Sequence, residues 1–154
     1  PVLATAMTGS GPPMNIFTYG SLMFGAVWRP LVTGQYASIS ACLDGYIRQG
    51  VRGTSYPGIM AAPGAQTPGR LYLDVSAADV ARLDAFEGDQ YRRERVVVRI
   101  DCRTGSPVTL DAQAYVLVDP EELDGSPWDV ERFAQKFAAD FYRLHAGVPM
   151  RAGH

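Results

Sequence analysis

The chain has 154 residues, of which 47% are hydrophobic, enough for one compact domain that buries roughly 70% of its unfolded-chain surface. The 14 lysines and arginines against 16 aspartates and glutamates leave a formal net charge of −2. This balance excludes recruitment of nucleic acid or an anionic membrane by the overall charge, and it fits a small-molecule ligand better.

Cysteine usage and hydropathy predict a cytoplasmic protein without a membrane span. Cys42 and Cys102 are the only cysteines, too few for a disulfide framework, and no apolar stretch approaches the roughly 20 residues that cross a bilayer. Residues 1–13 lack the basic start and apolar run of a signal peptide, so we expect a flexible extension or an added sequence there. One domain is predicted over 14–149, followed by a tail at 150–154.

The first elements are predicted as a strand, a turn, a short helix and a long strand. Residues 15–19 form a short apolar strand that stops at Gly20. Residues 23–31 predict a short helix interrupted by Pro30. Residues 36–49 mix β-branched, aromatic and small side chains, which is typical of one long or bent strand.

The middle of the chain predicts a turn, a strand and a helix. The sequence Tyr56-Pro57-Gly58 is typical of a turn, and residues 70–75 alternate as in a half-buried strand, with Leu71 and Leu73 on its apolar side. Ser76 and Asp79 resemble a capping box that opens a helix ending at Gly88. The apolar stripe of this helix consists of Val80, Leu83 and Phe86.

The last part predicts a hairpin and a helix. Residues 96–102 and 108–118 form two antiparallel strands joined by a loop that contains Gly and Pro, and residues 129–145 form an amphipathic helix. The acidic stretch 119–127 is expected to be a loop. Many short strands with two or three helices predict an α+β fold, as a small mainly antiparallel barrel or a strongly curled sheet.

The strand-turn-helix junction Tyr19-Gly20-Ser21-Leu22 is the first candidate functional segment. Gly20 has no β-carbon, so consecutive N–H groups can converge on one anion such as a substrate carboxylate. An ordinary strand-end glycine turn explains the same four residues. Ser21 is not expected to be a hydrolytic nucleophile, because the chain lacks a Gly-x-Ser-x-Gly elbow and has only His145 and His154 as bases.

Glu87, at the end of the predicted helix, is the second candidate. A carboxylate in the last turn opposes the helix dipole, at a cost of ~0.3–1 kcal/mol. Either it is a solvated side chain paired with Arg92 or Arg93, or it points into an aromatic pocket, where burial raises its pKa and suits it to general acid/base work. The residues alone leave both possibilities open.

Other polar residues give less specific signals. No His/Cys/carboxylate cluster has metal-ligand spacing, and no phosphate-binding loop is present, so neither a metal nor another cofactor is predicted. Arg48 and Arg52 are able to hold an acidic group, although a surface role is expected for them. Aromatic residues that either line such a pocket or simply pack are Tyr46, Tyr56, Tyr91 and Tyr115.

An ordered set of short motifs resembles the γ-glutamylcyclotransferase-like, or AIG2-like, family. The set runs from about Met14 to Val118, and each motif is modest alone. The matching segments are Phe17-Thr18-Tyr19-Gly20-Ser21-Leu22, Tyr56-Pro57-Gly58, Gly69-Arg70-Leu71-Tyr72, Leu83-Asp84-Ala85-Phe86-Glu87-Gly88 through Tyr91-Arg92-Arg93, and Ala114-Tyr115-Val116.

The resemblance implies a small β-barrel with flanking helices and a reaction on a γ-glutamyl substrate. In that reaction the substrate's own α-amine attacks its γ-amide carbonyl, which closes 5-oxoproline and releases an amine or amino acid. It implies Glu87 as the catalytic acid/base, and the substrate-binding residues Tyr19, Gly20, Ser21, Leu22, Tyr56, Tyr91 and Tyr115. The compact Leu-Asp-x-Phe-Glu-Gly segment favours a γ-glutamylamine over a γ-glutamyl peptide.

Two alternatives remain open at this point. The same pocket suits a non-catalytic module that binds a small γ-glutamyl or carboxylated metabolite. It also suits an enzyme that removes a γ-glutamyl group in a specialised biosynthetic pathway. The sequence carries no signal for the leaving group or the oligomeric state.

Overall fold

The computed structural model describes residues 11–100 and 107–136, which form six strands and three helices. The strands are β1 (Met14–Thr18), β2 (Ser38–Val51), β3 (Pro57–Val75), β4 (Tyr91–Ile100), β5 (Val108–Leu117) and β6 (Leu123–Pro127). The helices are α1 (Gly25–Trp28), α2 (Ala77–Glu87) and α3, which begins at 130 and is described as far as 136. Single 3₁₀ turns cover Ser21–Met23, Gly88–Gln90 and Pro120–Glu122.

Five of these strands close into a barrel. The order around the ring is β3-β1-β5-β4-β2, and β2 pairs with β3 to complete it, while β6 adds to β2. The pairings are antiparallel except for the parallel pair of β1 and β5. The prediction of an α+β fold with a small, mainly antiparallel barrel and flanking helices is confirmed.

Two apolar layers stabilise this arrangement, one within the ring of strands and one between the barrel and the helices. All five barrel strands contribute to the first layer, which includes the fully buried Phe17, Leu43, Ile59, Leu71 and Val98. The second layer joins α1 and α2 to the outer face of the strands, and it contains Ile16, Leu22, Trp28, Tyr72, Val75, Val80, Leu83 and Tyr115. The end of α2 is thereby held against β1 and β5.

Residues 70–75 form a strand as predicted, as the last part of β3, but the expectation that Tyr72 lies on a solvent-facing side is wrong. Leu71 and Tyr72 point to opposite faces, and both are buried. The Tyr72 ring stacks on Trp28 with ring centroids 3.6 Å apart. A period-two pattern indicates one wet face only when nothing covers that face, and here α1 covers it.

The predicted helix after Ser76 is confirmed, but the Asp79 carboxylate has other hydrogen-bond partners than the capping box predicted. The Asp79 amide donates to Ser76 Oγ at 3.2 Å, and Gly88 ends the helix with φ +72°. The Asp79 carboxylate does not complete a capping box. It accepts hydrogen bonds from Thr33, Gly34 and Tyr36 instead, so it ties the loop before β2 to the start of α2.

Several predicted boundaries change for identifiable reasons. The turn expected at Tyr56-Pro57-Gly58 is wrong, because the chain turns at 52–55 and β3 begins at Pro57, where a missing N–H costs least. The helix expected over 23–31 is shorter, since only Gly25–Trp28 is α-helical. The loop expected over 119–127 contains a 3₁₀ turn and β6.

The hairpin strands are antiparallel as predicted, and β4 begins at Tyr91, five positions before the expected start. The long strand over 36–49 corresponds to β2, with a register shift between Asp44 and Tyr46. Predictions for 1–10, 101–106 and 137–154, including Cys102, His145 and His154, lie outside the described residues. Within the described ranges, no helix has the length and apolar character of a membrane span.

Candidate active site

A cavity of about 170 Å³ opens where β1 ends, β3 begins and α2 ends. It is lined by Glu87 and by all the substrate-binding residues that the family resemblance implied: Tyr19, Gly20, Ser21, Leu22, Tyr56, Tyr91 and Tyr115. These residues come from four separate parts of the chain, and the barrel topology brings them together. The volume lies below the roughly 300–1,000 Å³ of drug-sized pockets, so the cavity suits a small group.

The Gly20 turn forms one wall, and its shape depends on the absence of a side chain. A β-carbon on Gly20 would lie 2.8 Å from Pro57 Cγ and 2.9 Å from Cδ, closer than real contacts. The 3₁₀ turn that follows is closed by the Met23 amide, which donates to the Gly20 carbonyl at 3.0 Å. Ser21 and Leu22 line the cavity, and within the described residues their amides have no backbone or side-chain acceptor.

Tyr19 holds this turn in place through its side-chain hydroxyl and its backbone carbonyl. Its hydroxyl donates to the Tyr115 carbonyl at 2.5 Å, and its own carbonyl accepts from Arg48 Nη1 at 2.9 Å. Burial, reinforced by Tyr91 and Glu87, raises the pKa of Tyr19 well above its usual value. The hydroxyl therefore stays protonated and remains a hydrogen-bond donor at neutral pH.

Glu87 is the last residue of α2, and its half-buried side chain lines the cavity. The possibility that it pairs with Arg92 or Arg93 is wrong, because Arg92 pairs with Glu94 and Arg93 pairs with Asp84. Burial, and secondarily the negative charge of Asp84, raises the pKa of Glu87 to about 7. A carboxyl group with this pKa exchanges protons readily at neutral pH.

Two tyrosines on the barrel complete the wall next to Glu87. Tyr91 donates its hydroxyl to the Pro57 carbonyl at 2.8 Å, and Tyr115 donates to Asp84 Oδ1 at 2.8 Å. Burial is the main cause that raises the pKa of both hydroxyls above the usual value. The charge of Glu87 adds to it for Tyr91, and the hydrogen bond to Asp84 and its charge add to it for Tyr115. These rings stay neutral and fix the position of their neighbours.

The other candidates from the sequence lie outside the cavity. Tyr46 packs partly buried against the barrel core. Arg48 is not the surface residue expected: it bridges the carbonyls of Tyr19 and Pro68, and its guanidinium lies 5.2 Å from the Trp128 ring centroid. Arg52 is exposed and donates to the Glu121 carbonyl at 3.1 Å.

Sequence reasoning missed five further lining residues, namely Phe17, Thr18, Pro57, Phe86 and Gln90. Each is a near neighbour in sequence of a predicted residue, so proximity to the motifs was the available signal. Their side chains are ordinary core or surface types, and nothing in their chemistry distinguishes them. Within the described ranges, no group of three or more His, Cys, Asp or Glu side chains is arranged to hold a metal.

Residues 16–132 match the family model described as gamma-glutamyl cyclotransferase, AIG2-like. The chain belongs to this family. The match begins within β1 and extends beyond the start of α3, so it includes the whole cavity.

Relatives in this gamma-glutamyl cyclotransferase, AIG2-like family occur in Arabidopsis thaliana. Protein AIG2 C is 31% identical over 144 residues, covering 90% of this chain and 86% of the relative. AIG2-like protein D is 28% identical over 138 residues and covers 90% of each chain.

Solved structures show the same fold. An Arabidopsis thaliana protein determined in solution has a TM-score of 0.67 and 28% identity, covering 88% of this chain and 84% of that one. A yeast gamma glutamyl cyclotransferase described as specific to glutathione has a TM-score of 0.59 and 13% identity, covering 92% and 90%. A mouse AIG2-like protein has a TM-score of 0.59 and 18% identity, covering 77% and 87%.

Proposed function

We propose that this protein is a γ-glutamyl cyclotransferase that converts a γ-glutamylamine or γ-glutamyl peptide into 5-oxoproline and a free amine or amino acid. One observation carries the proposal: Glu87 lines a small cavity with a pKa of about 7, in the same pocket as the Gly20 turn. The family membership of the chain supports the same reaction class.

The reaction is an intramolecular transfer. The substrate α-amine attacks the γ-carbonyl carbon, a new C–N bond closes the five-membered ring, and the original C–N bond to the leaving amine breaks. No water is consumed, because nucleophile and electrophile belong to one molecule. Holding the substrate in the folded, near-attack geometry can supply up to about 7–11 kcal/mol of the barrier in favourable intramolecular cases.

Glu87 manages the protons in this scheme. In its ionised form it accepts a proton from the substrate α-ammonium, which frees the lone pair for attack. After the attack the ring nitrogen must lose a second proton. Glu87 passes one proton to the departing nitrogen as the C–N bond breaks, and the second ends on the released amine, which leaves as an ammonium ion. The carboxylate is thereby regenerated and the proton balance is zero. General acid/base catalysis of this kind contributes typically ~10²–10⁴ in rate.

The turn amides supply the complementary charge stabilisation. Ser21 and Leu22 line the cavity, and their N–H groups have no acceptor among the described residues. They are suited either to the substrate α-carboxylate or to the oxyanion that forms on the γ-carbonyl oxygen. The rings of Tyr56, Tyr91 and Tyr115 enclose the aliphatic part of the glutamyl group.

Cavity size supports the glutamyl group as the enclosed part of the substrate. At about 170 Å³ the cavity has room for a group of this size and little more, so the leaving amine extends through its mouth. The compact motif around Glu87 favours a γ-glutamylamine, whereas the yeast structure of similar fold is described as specific to glutathione. Both substrate types therefore belong in the test.

The test is mass-spectrometric detection of 5-oxoproline after incubation with γ-glutamylamines, γ-glutamyl dipeptides and glutathione. The wild-type protein is compared with Glu87→Gln, which keeps the size of the side chain but removes its titration. Glu121→Gln, at an exposed position outside the cavity, is the matched control. We expect product from the wild type and the control, and a loss of at least ~10²-fold in Glu87→Gln.

Two results would count against the proposal. Full activity in Glu87→Gln would remove Glu87 from the mechanism. Binding of γ-glutamyl compounds, seen as a raised melting temperature, without product from any of them would favour a metabolite-binding module. Turnover confined to a specialised γ-glutamylated metabolite would instead retain the chemistry and move the protein into a biosynthetic role.

A further inference from the structure

A polar cluster of three side chains lies next to Glu87. Asp84 Oδ1 accepts hydrogen bonds from Arg93 Nε at 2.9 Å and from the Tyr115 hydroxyl at 2.8 Å, and Asp84 Oδ2 accepts from Arg93 Nη2 at 3.3 Å. Only Tyr115 of these three lines the cavity. The cluster therefore connects β4, β5 and α2 at the edge of the cavity.

Asp84 stands on the same face of α2 as Glu87. The two residues are three positions apart, so their side chains are neighbours across one helical turn. Two carboxylates this close repel each other, which favours a proton on the partly buried one. Consistent with this, the charge of Asp84 adds to burial in raising the pKa of Glu87.

Arg93 is fixed independently of Asp84. Its Nη1 lies 3.2 Å from Gln113 Oε1 and 3.2 Å from Met14 Sδ, so side chains of β1 and β5 hold the guanidinium. The two hydrogen bonds from Arg93 Nε and Nη2 to the two oxygens of Asp84 restrict this carboxylate to one orientation. Because the Arg93 guanidinium and the Tyr115 hydroxyl both donate hydrogen bonds to Asp84, the last turn of α2 is held against the barrel.

Other groups that face Glu87 do not change charge near neutral pH. Tyr19, Tyr91 and Tyr115 come from three further parts of the wall and stay protonated, since burial raises their pKa values. Arg48 and Glu122 act on the pKa values of Tyr19 and Tyr91 respectively, whereas the charge that acts on Glu87 is that of Asp84. Asp84 is thus the charged neighbour through which the protein can adjust Glu87.

We propose that Asp84 is a positioning residue for the reaction: held by Arg93 and Tyr115, its carboxylate fixes the end of α2 and places a negative charge one helical turn from Glu87. The kinetic part of this inference rests on the proposed cyclotransferase function. The electrostatic part concerns Glu87 alone and holds whether or not turnover is observed.

The experiment combines two measurements on the full chain. One is the pH profile of kcat/KM for 5-oxoproline formation. The other is a ¹³C NMR titration of glutamate side-chain carboxyls, in which the Glu87 signal is identified by its loss in Glu87→Gln. Both are recorded for the wild type, Asp84→Asn and Arg93→Gln.

Asp84→Asn should move the Glu87 titration and the acidic limb of kcat/KM to lower pH together, by a few tenths of a pH unit or more. A shift of this size means that kcat/KM at pH 6, expressed as a fraction of its plateau value, is about two-fold higher than in the wild type. Arg93→Gln leaves the Asp84 charge in place, so neither curve should move to lower pH. If Asp84→Asn folds poorly because Arg93 loses its partner, the double variant Asp84→Asn/Arg93→Gln replaces the pair with two neutral amides and should show the same downward shift.

Failure of the inference and failure of the proposed function give different results. Unchanged Glu87 titration in both Asp84 variants overturns the inference, even if kcat/KM falls, because a purely structural role lowers activity without moving the titration. A downward shift of equal size in Arg93→Gln also overturns it. A shifted titration without any turnover retains the role of Asp84 and rejects cyclotransfer.

Discussion

The Tyr19 hydroxyl donates to the Tyr115 carbonyl at 2.5 Å, within the buried layer beside the cavity. This bond joins the turn after β1 to the last part of β5, 96 positions later in the chain. Because the two residues lie on separate walls of the pocket, the bond fixes the distance between the turn and the α2 side of the site. It is therefore expected to contribute to both stability and substrate binding.

Tyr19→Phe removes this bond and should destabilise the fold by about 1–2 kcal/mol, the usual cost of losing a buried hydrogen bond. The measurement is the midpoint of urea unfolding at constant m-value. Tyr46→Phe is the matched control, because the Tyr46 hydroxyl has no hydrogen bond to any described residue. Equal stability of Tyr19→Phe and the control would show that the bond contributes nothing measurable.

The raised pKa of Glu87 predicts an acidic limb in the pH profile. Glu87 acts first as a base, so kcat/KM should rise with pH through about 7 and lose this limb in any variant that retains turnover without Glu87. The profile is measured with a γ-glutamylamine from pH 5 to pH 9. A limb near the ordinary glutamate value would mean that the carboxylate is solvated during the reaction.

The same pKa predicts an effect on folding stability, independent of activity. The folded state keeps the Glu87 proton up to about pH 7, whereas the unfolded chain releases it near the ordinary value of 4.5. The folded state thus binds more protons between these values, so stability should fall as pH rises from about 4.5 to 7. Glu87→Gln removes this penalty and should be about 1–2 kcal/mol more stable than the wild type above pH 7, after allowance for partial exposure.

Chemical denaturation at pH 4.5 and pH 7.5 measures this difference. Glu121→Gln, which is exposed, should show no such dependence. A stability gap between wild type and Glu87→Gln that is independent of pH would contradict the raised pKa.

Gly20→Ala should disrupt the turn through a clash with one identified ring. The added β-carbon would lie 2.8 Å from Pro57 Cγ, so either the turn or the start of β3 must move, at a typical cost of about 1–3 kcal/mol. We expect weaker substrate binding, seen as a raised KM. The double variant Gly20→Ala/Pro57→Ala removes the ring atoms and should recover part of the loss, and strictly additive effects would reject the clash.

Asp79→Asn should destabilise the protein by about 2–4 kcal/mol, because its buried carboxylate accepts from Thr33, Gly34 and Tyr36 and an amide cannot satisfy all these donors. Burial opposes ionisation of Asp79, but the hydrogen bonds outweigh it and lower its pKa. Its contribution is therefore present above the ordinary aspartate pKa and is lost as pH falls through the lowered value. Thermal unfolding at pH 7 and pH 3 tests this, with the exposed Asp74→Asn as control; equal losses in both variants would contradict it.

Strong local patterns located most elements in advance. The helix from Ser76 to Gly88 has a cap, an apolar stripe and a terminating glycine, and the structure retains all three. The β4–β5 hairpin was predicted from β-branched residues on both sides of a Gly- and Pro-containing loop. By contrast, β3 contains prolines and glycines that are typical of loops, so its length of 19 residues appeared only once β2 was seen to pair along it.

The sequence by itself determined the α+β class, the order of the main elements and the segments that line the cavity, because these depend on local chemistry: glycine at a turn, a cap at a helix, alternation along a strand. The tertiary structure decided the closure of the barrel by β2 and β3 and the burial of Leu71 and Tyr72 on opposite faces of β3. It also decided the environment of Glu87. Sequence alone left this residue between a solvated ion pair and a buried acid, since the answer depends on where Arg92, Arg93 and Asp84 lie in space. Because α2 packs on the barrel, Arg93 forms its ion pair with Asp84, and Glu87 lines the cavity. Desolvation in the cavity then raises the pKa of Glu87.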